Sequence, residues 1–233
     1  MGFELEHSSD VWDFFSNLKE HVTTDERDNK SDYFDALNEG QRMGFLKTMH
    51  AQMVRLLPDL LPHIDLSTSE TIVDAGAGSG ALIAALAAKH PEKKFQILET
   101  PDMVATARKA GLISGLAENV SIYSGDFFES QDVSADLCIL SKVLHDWSDG
   151  EVVKLLQALQ ERVTQVLIFE EMMIERTSPS VELAALNLFL SLKMGRGRLR
   201  DVAEYSRLLS QAGFHLDSFK PVGNTHILVA ARR

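Results

Sequence analysis

Thr71-Ile72-Val73-Asp74-Ala75-Gly76-Ala77-Gly78-Ser79-Gly80 is the stretch that decides the fold. The β-branched run Thr71 to Val73 opens a short strand. Three glycines at alternate positions then permit a sharp turn, and the Ala/Leu-rich residues from Ala81 to Lys89 read as a helix. Glycine lets the backbone bend tightly and lets a ligand sit against it. The helix behind points its free N–H groups at whatever occupies the turn. Strand, glycine turn and helix in that order read as a nucleotide or nucleoside site, with the acid Asp74 just before the first glycine.

The glycines do not fix the ligand. Gly76, Gly78 and Ala81 also fit the dinucleotide fingerprint G-x-G-x-x-G/A. Asp74 tilts the choice, because a carboxylate beside the turn repels a pyrophosphate and attracts an ammonium or sulfonium. S-adenosylmethionine carries both cations and no phosphate. It is the cofactor these residues favour, with a nicotinamide dinucleotide as rival.

Outward from the turn, strands and helices alternate. Strands are expected at 71–75, 95–99, 119–124, 136–141 and 165–170, and helices at 79–90, 101–113 and 149–161. Such alternation implies α/β architecture with a parallel sheet. Two further helices, 181–193 and 201–212, precede strands 214–220 and 226–231, joined as a hairpin through Pro221-Val222-Gly223-Asn224. The expectation is a Rossmann-like seven-stranded sheet with one antiparallel strand and helices on both faces. Before it, a short amphipathic helix is expected at 11–18, then a charged run at 23–31. From Asp32 to Leu61 apolar residues recur at helical spacing until Pro58 and Pro62 break the pattern. The division expected is a helical segment, 1–66, and a cofactor-binding catalytic domain, 67–233.

In open α/β sheets the ligand lies beyond the carboxyl ends of the strands. The second strand ends at Glu99, about 20 residues past the glycine turn, where an acid takes ribose hydroxyls. The third ends at Gly125-Asp126-Phe127-Phe128; Asp126 suits an exocyclic adenine amine and Phe127 offers a ring face. The fourth ends at Ser141 and runs into Lys142-Val143-Leu144-His145-Asp146-Trp147, after which Ser148 to Glu151 reads as a capping box. The fifth delivers Glu170. A His and a carboxylate on adjacent strand ends form a base and its orienter.

Composition narrows the class. A chain of 233 residues, 45% of them hydrophobic, suits one sizeable domain with an appendage. A formal charge of −11 argues against nucleic acid. The basic cluster Lys193 to Arg200 reads as a loop. The lone Cys138 in an apolar run points to no disulfide, no metal site and a reducing, cytoplasmic setting. No stretch approaches the ~18 apolar residues of a membrane span.

The ordered motifs resemble those of small-molecule O-methyltransferases of the caffeic acid/acetylserotonin type, which depend on S-adenosylmethionine. Asp74 to Gly80 is similar to the family's D-x-G-G-G-x-G, Glu99-Thr100-Pro101 to D-L-P, and Gly125 to Phe128 to G-D-F-F/M-F. Leu144-His145-Asp146-Trp147-Ser148-Asp149 matches L-H-D-W-x-D, and Gln211 to Phe214 matches x-A-G-F. The resemblance implies that Gly76 and Gly78 line the methionine end of the cofactor. It implies that Glu99 holds the ribose, that Asp126 and Phe127 hold the adenine, that His145 is the general base and that Glu170 orients it. Ser141 falls where family members often carry a basic residue near the cofactor.

Two departures stand out. Where the family's G-G-x-E-R-T segment carries a second acid, this chain has Leu199. Family members also carry a large N-terminal winged-helix region that builds a homodimer and lines the partner's pocket. Too few residues precede the sheet here for all of it, so the chain is expected to be a fragment or a trimmed lineage, and a homodimer stays open.

The reaction expected is methyl transfer to a hydroxyl of a small aromatic or polyketide-like molecule. A phenol with a pKa near ~10 is a poor nucleophile until a base takes its proton. A family member that binds the cofactor without methyl transfer is the alternative. Met43, Phe45, Met49, Met172, Met173, Asn187, Phe189 and Met194 are candidates for an apolar substrate pocket, with Asp146 beside it. Asn187 stands out, since an amide on an apolar helix face needs a partner.

Overall fold

Strands buried on both faces read as near-continuous apolar runs, and in the computed structural model those runs build one sheet. The structure describes residues 14–23, 33–129, 133–174, 179–223 and 225–233. The strands are β1 (Thr71–Ala75), β2 (Lys94–Glu99), β3 (Val120–Ser124), β4 (Ala135–Ser141), β5 (Val163–Glu170), β6 (Phe214–Val222) and β7 (Thr225–Arg232). Their order is β3-β2-β1-β4-β5-β7-β6. Only β7 runs against its neighbours, pairing antiparallel with both β5 and β6. The seven-stranded sheet with one reversed strand is therefore as expected.

The helices are α1 (Leu18–Thr23), α2 (Tyr33–Ala36), α3 (Glu39–Leu60), α4 (Ala81–Lys89), α5 (Pro101–Lys109), α6 (Asp149–Gln160), α7 (Val181–Leu188) and α8 (Val202–Gln211). Asn38, Ser148 and Asp201 open α3, α6 and α8 with capping boxes, each answered by a Gln or Glu three residues on. Strand alternation sorts the core into two layers. Cys138 and Leu140 of β4 face one cluster with Leu155 of α6 and Leu208 of α8. Leu137 and Ile139 face the other, with Leu46 and Leu60 of α3, Ile83 of α4 and Val104 of α5. Fully burying Leu46 and Leu60 contributes about 1.5–3 kcal/mol each. α3 thus shares a core with Ile72 of β1.

Several local expectations are corrected. Pro58 does not break the pattern; it lies inside α3. Its missing N–H forfeits only the bond to the Val54 carbonyl, one turn from the helix end, where both residues are exposed and water replaces the donor. The helix expected over 181–193 stops at Leu188, and Phe189–Lys193 winds as a π-helix. Pro221 and Val222 belong to β6, leaving Gly223, with φ of 59°, in the turn. Asn224 lies outside the described residues. Of the helix expected over 11–18, residues 14–16 are helical and 11–13 lie outside the description, as does most of the charged run.

Candidate active site

β1 and β4 are neighbours from which the chain winds outward in opposite directions, to β2 and β3 on one side and to β5 on the other. The crevice beyond the strand ends at such a switch point takes a ligand. A cavity of about 710 Å3 opens there. The turn after β1 supplies Asp74, Gly76, Gly78 and Ser79; the end of β2 supplies Glu99 and Thr100. Asp126, Phe127 and Phe128 follow β3, and Ser141, Lys142, Asp146 and Trp147 follow β4. Phe45, Met49 and Met53 of α3 close a further wall.

The glycines are required by the space. Gly76 has φ of 76°, and a Cβ there would meet Val143 Cγ2 at 2.7 Å. Gly80 has φ of 70°, and its Cβ would meet Ile97 Cδ1 at 2.9 Å. Glu99 ties the turn to β2: its Oε2 accepts from Gly78 N at 2.7 Å and its Oε1 from Thr100 N at 2.7 Å. Burial raises the Glu99 carboxyl above its usual range against those two bonds. Asp74 is buried, and its Oδ1 has no hydrogen-bond partner. Burial first, and the charge of Glu99 second, push its pKa up to about 8. Ser141 Oγ is likewise buried and unpartnered. Two orphaned acceptors facing one cavity fit a ligand that is cationic and donates hydrogen bonds.

The opposite wall is aromatic. The Trp147 ring meets Phe128 edge-on with centroids 4.6 Å apart and Phe127 with centroids 6.1 Å apart. The Arg196 guanidinium sits 4.4 Å above Trp147. Asp126 Oδ1 accepts from Phe128 N at 2.8 Å, which fixes the turn.

β4 ends in a backbone reversal at Lys142, whose φ is 57°, and leads into a 3-10 turn, Leu144–Asp146. That turn presents His145 to Glu170 at the end of β5. His145 Nδ1 lies 2.5 Å from Glu170 Oε2. The other oxygen, Oε1, accepts from the backbone N–H of Leu144 at 2.9 Å and of His145 at 3.2 Å. His145 Nε2 lies 3.4 Å from Asp146 Oδ1. Burial opposes the imidazolium, but Glu170, Asp146 and Glu171 outweigh it and raise the His145 pKa to about 9. The sequence places His145 at the ligand edge. In the structure its ring is buried and Asp146, not His145, lines the cavity.

The basic stretch 195–201 is a clamp on this turn rather than a free loop. Arg200 is fully buried; its Nη1 donates to Leu144 O at 2.8 Å, its Nη2 to Trp147 O at 2.6 Å and its Nε to Asp149 at 2.9 Å. Arg198 N donates to His145 O at 2.8 Å. Gly197 passes so close that a Cβ would stand 2.4 Å from His145 O.

Met49 lines the cavity, but Asn187 is not among the lining residues. The partner its amide needs is the backbone: Asn187 Oδ1 accepts from Leu199 N at 2.9 Å. Met172 belongs to the core, and Met173, Phe189 and Met194 pack with Leu190 and Leu199 instead of facing the cavity. Met43 is not a lining residue either. His145, Glu170 and Glu171 bring ligand atoms within 4.8 Å of one another. A divalent ion would compete there with the Lys142 ammonium, which already pairs with Glu171 Oε1 at 2.5 Å.

Sequence reasoning missed Lys142, Glu171 and Arg200. Arg200 lay inside a basic cluster whose partners, Asp149 and two carbonyls, are about fifty residues away in sequence. The one available signal for Glu171 was a second carboxylate directly after an apolar strand, where burial without a cation is costly.

Residues 30–215 match the family model described as the O-methyltransferase domain. The acetylserotonin O-methyltransferase of Mus musculus is 36% identical over 206 residues, covering 84% of this chain and 52% of that protein. The mitomycin biosynthesis 6-O-methyltransferase of Streptomyces lavendulae is 32% identical over 162 residues, 68% of this chain and 46% of that one. The chain thus spans about half the length of the curated relatives it matches. The crystal structure of human N-acetylserotonin methyltransferase in complex with SAM superposes with a TM-score of 0.83 at 25% identity, over 96% of this chain and 70% of that one. The switch-point cavity, the glycine turn and the family match agree: this chain belongs to the O-methyltransferase family.

Proposed function

We propose that this chain binds S-adenosylmethionine and transfers its methyl group to a hydroxyl of a small aromatic or polyketide-like molecule, with His145 as general base and Glu170 as its orienting acid. The observation that carries this reading is one juxtaposition. The orphaned Asp74 carboxylate lines the crevice at the end of β1, and the buried His145–Glu170 pair stands behind its wall at the ends of β4 and β5, next to the lining residue Asp146. The names of the relatives support transfer to oxygen.

S-adenosylmethionine, when bound, supplies a methyl carbon activated by a sulfonium. Asp74 and Ser141 offer the unsatisfied acceptors for its amino end, and Glu99 has a free lone pair on each oxygen for ribose hydroxyls. Asp126 and the Phe127 ring suit the base. Glu170 stands at His145 Nδ1, so it is the neutral fraction of the imidazole, growing as pH rises toward 9, that takes the acceptor's proton at Nε2, beside Asp146 Oδ1. Glu170 also fixes the ring by holding the two backbone N–H groups of its turn. Met49 and Phe45 supply an apolar wall that keeps water from the site.

The test is incubation with methyl-labelled S-adenosylmethionine and a panel of phenols, with calorimetry of cofactor binding alongside. Label on the phenolic oxygen is the expected result. Tight cofactor binding with no transfer to any phenol favours a binding-only member. Preference for a nicotinamide dinucleotide overturns the proposal.

A further inference from the structure

We propose that Glu171, anchored by Lys142, is a second positioning acid of the His145 base, so that the imidazole works between two carboxylates delivered by consecutive residues of one strand end. This rests on the function proposed above and adds to it a residue outside the matched motifs.

Consecutive residues of a strand point to opposite faces. β5 ends at Glu170, and the next pairing, an isolated parallel bridge, joins Met172 to Arg200. The chain leaves strand geometry at Glu171, and both carboxylates come within 4.8 Å of the imidazole. Glu171 is 9% exposed. Its Oε1 pairs with Lys142 Nζ at 2.5 Å, while its Oε2 is buried and has no hydrogen-bond partner. Burial opposes ionisation of Glu171, yet Lys142 and His145 hold its carboxyl below the usual carboxylate range. The anion is therefore kept charged beside the base.

Lys142 explains how. It is the one non-glycine with positive φ among the described residues, 57°, in a region that Cβ sterics disfavour. That conformation turns the chain out of β4 and into the His145 turn, and Lys142 N donates to Phe169 O at 2.8 Å. The ion pair with Glu171 fastens the strained residue to β5. Position 199 supplies no charge, because Leu199 is buried with Leu190 and Met194.

Among the described residues, charged groups reach the imidazole from several elements. Glu170 and Glu171 reach it from β5, Asp146 from its own turn and Lys142 from the exit of β4. Arg200 and Arg198 hold the turn through the backbone. Tyr205 of α8 lies in the field of Glu170 and Arg200. From β7, His226 stands opposite Glu170 in register and feels Glu171.

The test is the titration of His145 by NMR of imidazole-labelled protein, assigned by loss of its signal in His145→Asn, together with the pH profile of kcat. Glu171→Gln should lower the His145 midpoint, and the acid limb of kcat with it, by about one pH unit. Glu171→Asp, which restores the charge, should move the midpoint back toward the wild-type value. Lys142→Met should lower it as well, since the buried Glu171 loses the cation that keeps it charged. A purely structural Glu171 would change thermal stability and leave the midpoint where it was; that result overturns the inference. If Glu171→Gln does not fold, Glu171→Asp and Lys142→Met decide, and an unmoved midpoint in Lys142→Met also overturns it. If the midpoints shift as stated while no phenol is methylated, the electrostatic role stands and the proposed function falls.

Discussion

Glu170 holds His145 by more than one contact: one carboxylate oxygen lies 2.5 Å from the imidazole Nδ1, and the other accepts the His145 backbone N–H at 3.2 Å. The same residue thus sets the ring's orientation and its charge. Glu170→Gln keeps an amide oxygen for the backbone bonds and removes the charge. Methyl transfer should fall by roughly 10²-fold, while cofactor affinity measured by calorimetry stays near wild type. Unchanged kcat in this variant would remove Glu170 from the mechanism.

Asp74 makes cofactor binding depend on pH. Its pKa of about 8 in the empty site means that the carboxyl is mostly protonated at neutral pH. A cationic ligand needs the carboxylate, so binding should release a proton and weaken about tenfold per unit as pH falls below 8. Asp74→Asn should flatten that slope and cost at least about tenfold in affinity, or ~1.4 kcal/mol. Calorimetry in two buffers of different ionisation enthalpy reads the proton count. No proton release would contradict this assignment.

Stability without ligand should decline with rising pH. His145, raised from 6.5 to about 9, contributes stability that is complete below about 6.5 and lost as pH rises through 9. Asp74 acts in the same direction: its folded pKa lies above its unfolded value, so stability falls from about pH 4 up to 8. Thermal melts at pH 6, 7.5 and 9 should show a falling Tm, and a shallower fall in Asp74→Asn. A Tm that rises across this window would contradict both assignments.

The clamp on the base should be separable from the cofactor site. Gly197→Ala places a Cβ 2.4 Å from His145 O, so the turn must shift. Turnover should drop at least tenfold, as a displacement of about 1 Å is enough to do, with cofactor affinity little changed. Arg200→Met removes the side-chain donor of the Trp147 carbonyl and leaves Leu144 O with only the Trp147 N–H at 3.4 Å, a loss of about 1–3 kcal/mol, and should lower Tm as well. An equal loss of affinity and turnover in Gly197→Ala would mean that the segment serves the cavity as a whole.

Legibility in the sequence followed the range of the interaction. β1, the glycine turn and the capping box at Ser148 are local patterns, and each falls close to its expected bounds. The ligand edge was legible because strand ends converge by topology, which brings Asp74, Glu99, Asp126 and Ser141 to one cavity. Pro58 was misread because a helix end tolerates a missing donor that a helix middle does not. Asn187 was read toward a ligand because nothing in the sequence reveals that Leu199 N comes to meet it. Arg200, Lys142 and Glu171 stayed hidden for the same reason: a buried charge declares itself only through a partner, and their partners lie 29 to 56 residues away.

The most direct test compares His145→Ala with wild type in single-turnover transfer of labelled methyl from S-adenosylmethionine to a phenol, with cofactor affinity of both measured by calorimetry. Transfer should fall by roughly 10²-fold or more while affinity is preserved. Wild-type transfer rates in the protein lacking that imidazole would contradict the account at its centre.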